Sequence, residues 1–187
     1  MENSNFHDTE IIEVSKEFQP TCDYDSHRPF LWLALNLFPK ENLTPFSELG
    51  CGHGSTLVVN EFCKKQGRLF FSYETNKEWS QKFNNIVTSI SNYNDLHVSN
   101  HGIIFVDSAP GEQRKELISK FANDSDLIIV HDTEEGAEYV YGMSEILNSF
   151  KYRIDLHITG APSTTMVSNF IDLNYLKGKR IFDYIIE

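Results

Sequence analysis

A chain of 187 residues, 40% hydrophobic and 23% charged, has the size and balance of one globular domain with a sizeable core. Its formal net charge of -11 argues against a partner that presents a phosphate backbone, because nucleic-acid binders carry a basic patch. A small local basic patch could form around Lys177, Lys179 and Arg180. No apolar run reaches the length of a membrane span, and no basic stretch leading into an apolar core opens the chain. Cys22, Cys51 and Cys63 have no CxxC spacing and read as reduced thiols, so the expected location is cytoplasmic.

Residues 1–19 mix acids, Asn and Ser around Ile11-Ile12-Glu13-Val14 and read as a flexible arm, with a single domain over 20–187. Pro20 to Pro29 form a polar loop carrying Asp23, Tyr24, Asp25, His27 and Arg28. That loop is either a solvated surface segment or a flap over a ligand mouth. Pro29 suits the first turn of a helix, whose apolar face runs through Phe30, Leu31, Leu35 and Phe38 until Pro39. Phe46 to Leu49 is a short buried strand, after which Gly50, Gly52 and Gly54 lead into a helix over Ser55 to Gln66 that Gly67 stops.

Arg68 to Tyr73 form the second strand, ending at Glu74. Glu78 to Ser91 carry Trp79, Phe83, Ile86, Val87 and Ile90 at helical spacing. Leu96-His97-Val98 is a brief third strand, and Ile103 to Val106 a fourth that is apolar on both faces. An amphipathic helix over Glu112 to Ala122 precedes the fifth strand, Leu127 to Val130. Tyr139 to Phe150 read as a helix, Tyr152 to Ile158 and Thr165 to Ile171 as the last strands. Lys177 to Glu187 either pair at a sheet edge or pack as an arm. This alternation predicts an α/β fold: a doubly wound, Rossmann-like, mostly parallel seven-stranded sheet with helices on both faces.

A strand that turns through glycines into a helix presents backbone N–H groups and a partial positive dipole to a ligand. Two ligand classes use such a turn. A dinucleotide site reads G-x-G-x-x-G or A, which places Ser55 in the final position. Glu74, 20 residues beyond Gly54, is placed to accept from ribose hydroxyls, or else to cap the following helix. Trp79 is the aromatic positioned to line a base. In a doubly wound sheet Glu48, Glu74, Asp107 and Asp132 converge at the carboxyl ends of the strands. Asp107 and the His131-Asp132 pair are compatible with three roles: holding a divalent cation, acting as general base, or binding an ammonium group. They are also compatible with capping the helices that follow.

Glu48-Leu49-Gly50-Cys51-Gly52-His53-Gly54, with Tyr73-Glu74 at the second strand end, resembles motif I and the acidic strand of class I S-adenosylmethionine (SAM) methyltransferases. Val106-Asp107-Ser108-Ala109-Pro110-Gly111 and Val130-His131-Asp132-Thr133-Glu134 resemble the fourth- and fifth-strand motifs, the latter with an HDTE strand end. The resemblance implies SAM binding by Glu48, Gly50, Gly52, His53, Gly54, Ser55, Glu74 and Asp107. It further implies methyl transfer to a small or peripheral acceptor, a hydroxyl oxygen for preference, with Asp107, His131 and Asp132 catalytic. Cation-dependent enzymes of the catechol type place carboxylates like Asp107 and Asp132 around Mg2+, and Thr133 stands where they have Asn. No Asn-Pro-Pro-Tyr motif points to amino-methylation of DNA bases or glutamine. A catalytically silent SAM- or nucleotide-binding subunit and an NAD-dependent oxidoreductase are the other readings, the latter opposed by the tight glycine spacing.

Overall fold

Two stretches without a polar interruption, Ile103–Val106 and Leu127–Val130, set the architecture, because central parallel strands covered on both faces have that pattern. The computed structural model describes residues 10–37, 43–83, 85–96 and 101–187. Its elements are β1 (Ile11–Ile12), α1 (Arg28–Leu37), β2 (Phe46–Leu49), α2 (Thr56–Gln66), β3 (Phe70–Glu74), α3 (Lys77–Ser80) and β4 (Val87–Ser89). There follow β5 (His101–Val106), α4 (Arg114–Phe121), β6 (Ser125–His131), α5 (Glu135–Tyr141), α6 (Ser144–Asn148), β7 (Tyr152–Leu156), β8 (Thr164–Ser168), β9 (Arg180–Ile181) and β10 (Tyr184–Ile185).

The main sheet has seven strands in the order β4-β3-β2-β5-β6-β8-β7. From β4 to β6 all neighbours are parallel, and β8 runs antiparallel between β6 and β7. This is the expected doubly wound sheet, and its strand order reverses between β2 and β5. Alternation along the central strands divides the core in two. Ile103, Phe105, Leu127 and Ile129 face α1 and α2, where Phe30, Leu31, Leu35, Val59 and Cys63 are buried. Ile104, Val106, Ile128 and Val130 face the opposite side, against Leu117, Ile118 and Phe121 of α4 and Leu147 of α6. Each such aliphatic or aromatic side chain taken fully out of water contributes roughly 1.5–3 kcal/mol.

Three expected elements differ. The helix expected over Glu78 to Ser91 ends early: α3 and a 3-10 turn at Gln81–Phe83 give way at Asn85, which has φ 62, to strand β4. Asn tolerates that left-handed geometry, and the β-branched Val87 and Thr88 then favour an extended edge strand beside β3. The strand that follows β3 is β4 rather than the one expected at Leu96-His97-Val98; His97 and Val98 lie outside the described residues, as do Phe38 and Pro39. The helix expected over Tyr139 to Phe150 is broken into α5 and α6 by Gly142, which caps α5 in the left-handed region at φ 59.

Residues 1–9 of the expected arm lie outside the described residues, but the rest of it is docked. β1 pairs in parallel with β9, Phe18 is fully buried, and Val14 nearly so. β9 and β10 form a hairpin, and the Glu187 and Asp155 backbones exchange hydrogen bonds of 3.0 and 3.1 Å, so the closing segment pairs along β7. Among the described residues no helix is long and apolar enough to cross a membrane.

Candidate active site

Gly50 has φ 94, and a Cβ there would come 2.3 Å from the Asp107 carbonyl oxygen. Only glycine lets the turn after β2 pass this close to the end of β5. The turn is fastened from both sides. The Cys51 amide donates to Glu74 at 3.2 Å, and the Gly52 amide donates to the Thr56 hydroxyl at 2.9 Å. The amides of His53 and Gly54 have no partner among the described residues, and both residues line the cavity above the turn.

Glu48 does not reach that cavity. It is completely buried beneath the turn, where its carboxyl accepts from the hydroxyls of Ser55, Thr56 and Ser72. Burial pushes its pKa up to about 7, against the three hydroxyl bonds that pull it down. It was expected to touch the cofactor; it instead ties β2, β3 and the start of α2 together. Glu74 has a similar position: its oxygens accept from the Cys51 amide and, at 2.7 Å, from the Asn76 amide. Asn76 in turn caps α3 by accepting from the Trp79 amide. Glu74 therefore shapes the turn and the start of α3 together, and it does not line the cavity above them.

The cavity of about 880 Å3 lies beyond the carboxyl ends of β2, β5 and β6, at the point where the strand order reverses. Its floor is Cys51 to Ser55 and one side is Trp79, whose indole N–H donates to the Cys51 carbonyl at 2.7 Å. His53 packs edge-on to Trp79 with ring centroids 5.6 Å apart. The opposite side carries Asp107, His131 and Asp132. The polar loop before α1 is a third wall. Asp25 accepts from the Thr21 and Cys22 amides, the Thr21 hydroxyl and Arg28. Burial alone would raise the Asp25 pKa, but those donors hold it below the usual carboxylate value. Arg28 also donates to the Gly54 carbonyl at 2.7 Å, joining loop to glycine turn. The loop is therefore a built part of the site and not a solvated linker.

Arg114, absent from the sequence reading, organises the far wall. It is buried at 5% exposure and donates to the Ser108 carbonyl, the His131 carbonyl, Asp132 at 2.8 Å and Asp107 at 2.9 Å. Tyr141 of α5 covers the guanidinium at 4.8 Å. One signal was available in the sequence. Arg114, Leu117, Ile118 and Phe121 share the buried stripe of α4, and a charge on such a stripe needs partners.

His131 lies between the two carboxylates, its Nδ1 3.5 Å from Asp107 and 3.4 Å from Asp132. Burial lowers its pKa, but the neighbouring Asp107 and Asp132 outweigh that and raise it. Asp107, although burial raises its pKa, is held low by His131 and Arg114. The second site residue that sequence reasoning left unassigned is His27. It is 2% exposed, its ring sits 4.6 Å from the His131 ring, and burial takes its pKa down to about 3. Gly54 makes room for it, since a Cβ there would meet the His27 ring at 3.0 Å.

A Mg2+ ion shared by Asp107 and Asp132 does not fit this arrangement. The Arg114 guanidinium already bridges those two carboxylates, and the Thr133 hydroxyl is turned away to Thr165 at 2.9 Å.

No protein-family model matches the sequence, and no curated protein does. Solved structures do. One described as a "delta-N METTL16 MTase domain" superposes with a TM-score of 0.53 at 10% identity, covering 75% of this chain and 81% of its own. The human methyltransferase 10 domain containing protein gives 0.53 at 12% identity, over 76% of this chain and 80% of that one. The N-terminal domain of human METTL16, in complex with SAH, gives 0.52 at 10% identity, over 82% and 73%. At these identities the likeness is one of fold, and the fold of this chain is that of the Rossmann-like methyltransferases.

Proposed function

We propose that the protein is a SAM-dependent methyltransferase acting on a small or peripheral acceptor through a hydroxyl oxygen. The observation that carries the reading is the cavity at the strand-order reversal, with a glycine floor offering unpaired amides on one side and a carboxylate–imidazole wall on the other. Its volume lies within the roughly 300–1,000 Å3 typical of small-molecule sites. In this reading the methionine and ribose parts of SAM run along Gly50 to Ser55, and Trp79 flanks the adenine. The sulfonium methyl then faces Asp107, His131 and Asp132. A sulfonium is already a reactive methyl donor, so the protein's task is to align the acceptor oxygen with the methyl–sulfur bond and to manage its proton. The acceptor enters between the Pro20 to Pro29 loop and α5, whose Ala137, Val140 and Tyr141 line the cavity. The net charge of -11 favours a small-molecule acceptor over a nucleic acid.

Calorimetric titration with SAM, S-adenosylhomocysteine and NAD tests the reading, with Glu74→Ala as the disabled site. The expected result is binding of both sulfur ligands and not of NAD, weakened about tenfold or more by Glu74→Ala. NAD binding in place of SAM would transfer the turn to an oxidoreductase. SAM binding without methyl transfer to any class of hydroxyl acceptor would make the chain a silent SAM-binding subunit.

A further inference from the structure

We propose that His27, Asp107 and His131 form a binding site for one divalent transition-metal ion of the Zn2+, Co2+, Mn2+ or Fe2+ type. One ligand atom from each side chain lies within 4.8 Å of the other two. Donors bound at about 2.0–2.2 Å around a tetrahedral ion lie roughly 3.4 Å apart, a spacing that His131 Nδ1 and Asp107 already have at 3.5 Å, and side-chain rotation must close the remaining separations.

Three independent observations point to a cation there. Both ring nitrogens of His27 are buried and have no partner among the described residues, a state that costs free energy unless something binds them. The hydrogen bonds of His131 indicate the same position. Ser26 donates its single hydroxyl proton to the Pro162 carbonyl at 2.7 Å, so toward His131 Nε2 at 3.1 Å it can only accept. Nε2 therefore carries the proton of the neutral ring, and the Nδ1 lone pair points at the Asp107 and Asp132 carboxylates. That contact is repulsive unless a second ring proton or a metal cation lies between them. Finally, with the His131 ring neutral, two carboxylates against one guanidinium leave the wall with an uncompensated negative charge.

Two imidazoles and one carboxylate select a transition ion over Mg2+ or Ca2+, which prefer oxygen ligands. Asp107 keeps one oxygen unpaired among the described residues, because Arg114 uses only Oδ1. Three protein ligands leave coordination positions open toward the cavity, as in catalytic rather than structural sites. An acceptor hydroxyl at such a position would be acidified. This extension rests on the methyl-transfer reading; the metal site does not.

The test is a Co2+ titration of metal-stripped, untagged protein without SAM, followed by visible absorption and calorimetry. One equivalent is expected to bind with ligand-field bands, to be displaced by Zn2+ and not by Mg2+. His131→Ala and His27→Phe, the latter keeping an aromatic ring in the space below Gly54, are each expected to weaken binding at least tenfold. Circular dichroism confirms that each variant is folded, and a variant that fails this check is replaced by Asp107→Asn. Absence of the bands, or binding indifferent to the folded variants, would mean that a proton alone occupies the gap, and would overturn the site. SAM titration of the same samples separates this outcome from failure of the methyltransferase reading.

Discussion

Gly50 and Asp107 touch backbone to backbone: the space a Gly50 Cβ would need is taken by the Asp107 carbonyl. The glycine turn and the fourth-strand carboxylate are therefore one rigid unit. Gly50→Ala combines a positive φ with a clash against main chain, neither of which a rotamer change relieves. It is expected to destabilise the fold on the order of 3 kcal/mol. Urea unfolding measures this, and a wild-type midpoint for the variant would show that the turn is not packed as described.

Glu48 makes stability depend on pH. Its folded pKa of about 7 lies above the ordinary 4.5, so the fold favours its neutral form. The stabilisation from that neutral form is complete below pH 4.5 and is lost as pH rises through 7, amounting to about 3 kcal/mol. Glu48→Gln, which cannot ionise, is expected to be the more stable protein above pH 7 and to lose the slope between pH 5 and 7. Thermal melts of both proteins across that range check the sign.

Arg114→Met removes the cation between two partly buried carboxylates while keeping much of the aliphatic stem. Leaving Asp107 and Asp132 uncompensated is expected to cost about 3 kcal/mol. Arg114→Lys should recover only part of this, because an ammonium cannot serve four acceptors from a fixed fork. Chemical denaturation of the two variants measures the difference; equal stability would mean that the clamp is ornamental to the fold.

The two tryptophans give an optical assay. Trp79 lines the cavity, whereas Trp32 packs against the core on the α1 side. SAM or S-adenosylhomocysteine is expected to change the fluorescence of wild type and of Trp32→Phe, but not of Trp79→Phe. Trp79→Ala should weaken cofactor binding by roughly 1 kcal/mol, about fivefold in affinity. A fluorescence response that follows Trp32 instead would place the ligand elsewhere.

The parts of this molecule that follow from local pattern were legible in the sequence. Doubly apolar strands, the glycine turn and its helix, and the carboxylates Asp107 and Asp132 stand where periodicity and spacing put them. What failed depended on single backbone conformations or on contacts between distant segments. Asn85 and Gly142 end helices that the apolar spacing of Phe83, Val87 and Leu147 would equally have allowed to continue. Glu48 and Asp107 both read as acidic strand ends, yet the pleat and the neighbouring hydroxyls bury one and open the other to the cavity. His27 and Arg114 acquire meaning only once α1 and α4 bring them beside β6, and no spacing in the sequence connects them to His131.

The pairing of Ile11–Ile12 with Arg180–Ile181 gives the cavity a remote anchor. The loop carrying Asp25, Ser26 and His27 runs into α1 on one side and leads back through Phe18 to this short clasp on the other, whose two halves are separated by nearly the whole sequence. Loop-closure entropy opposes such a contact until the chain between is already folded. The wall of the site should therefore be the last part of the molecule to set. A break in two backbone pairs far from any ligand would then be felt first as a loosened grip on one.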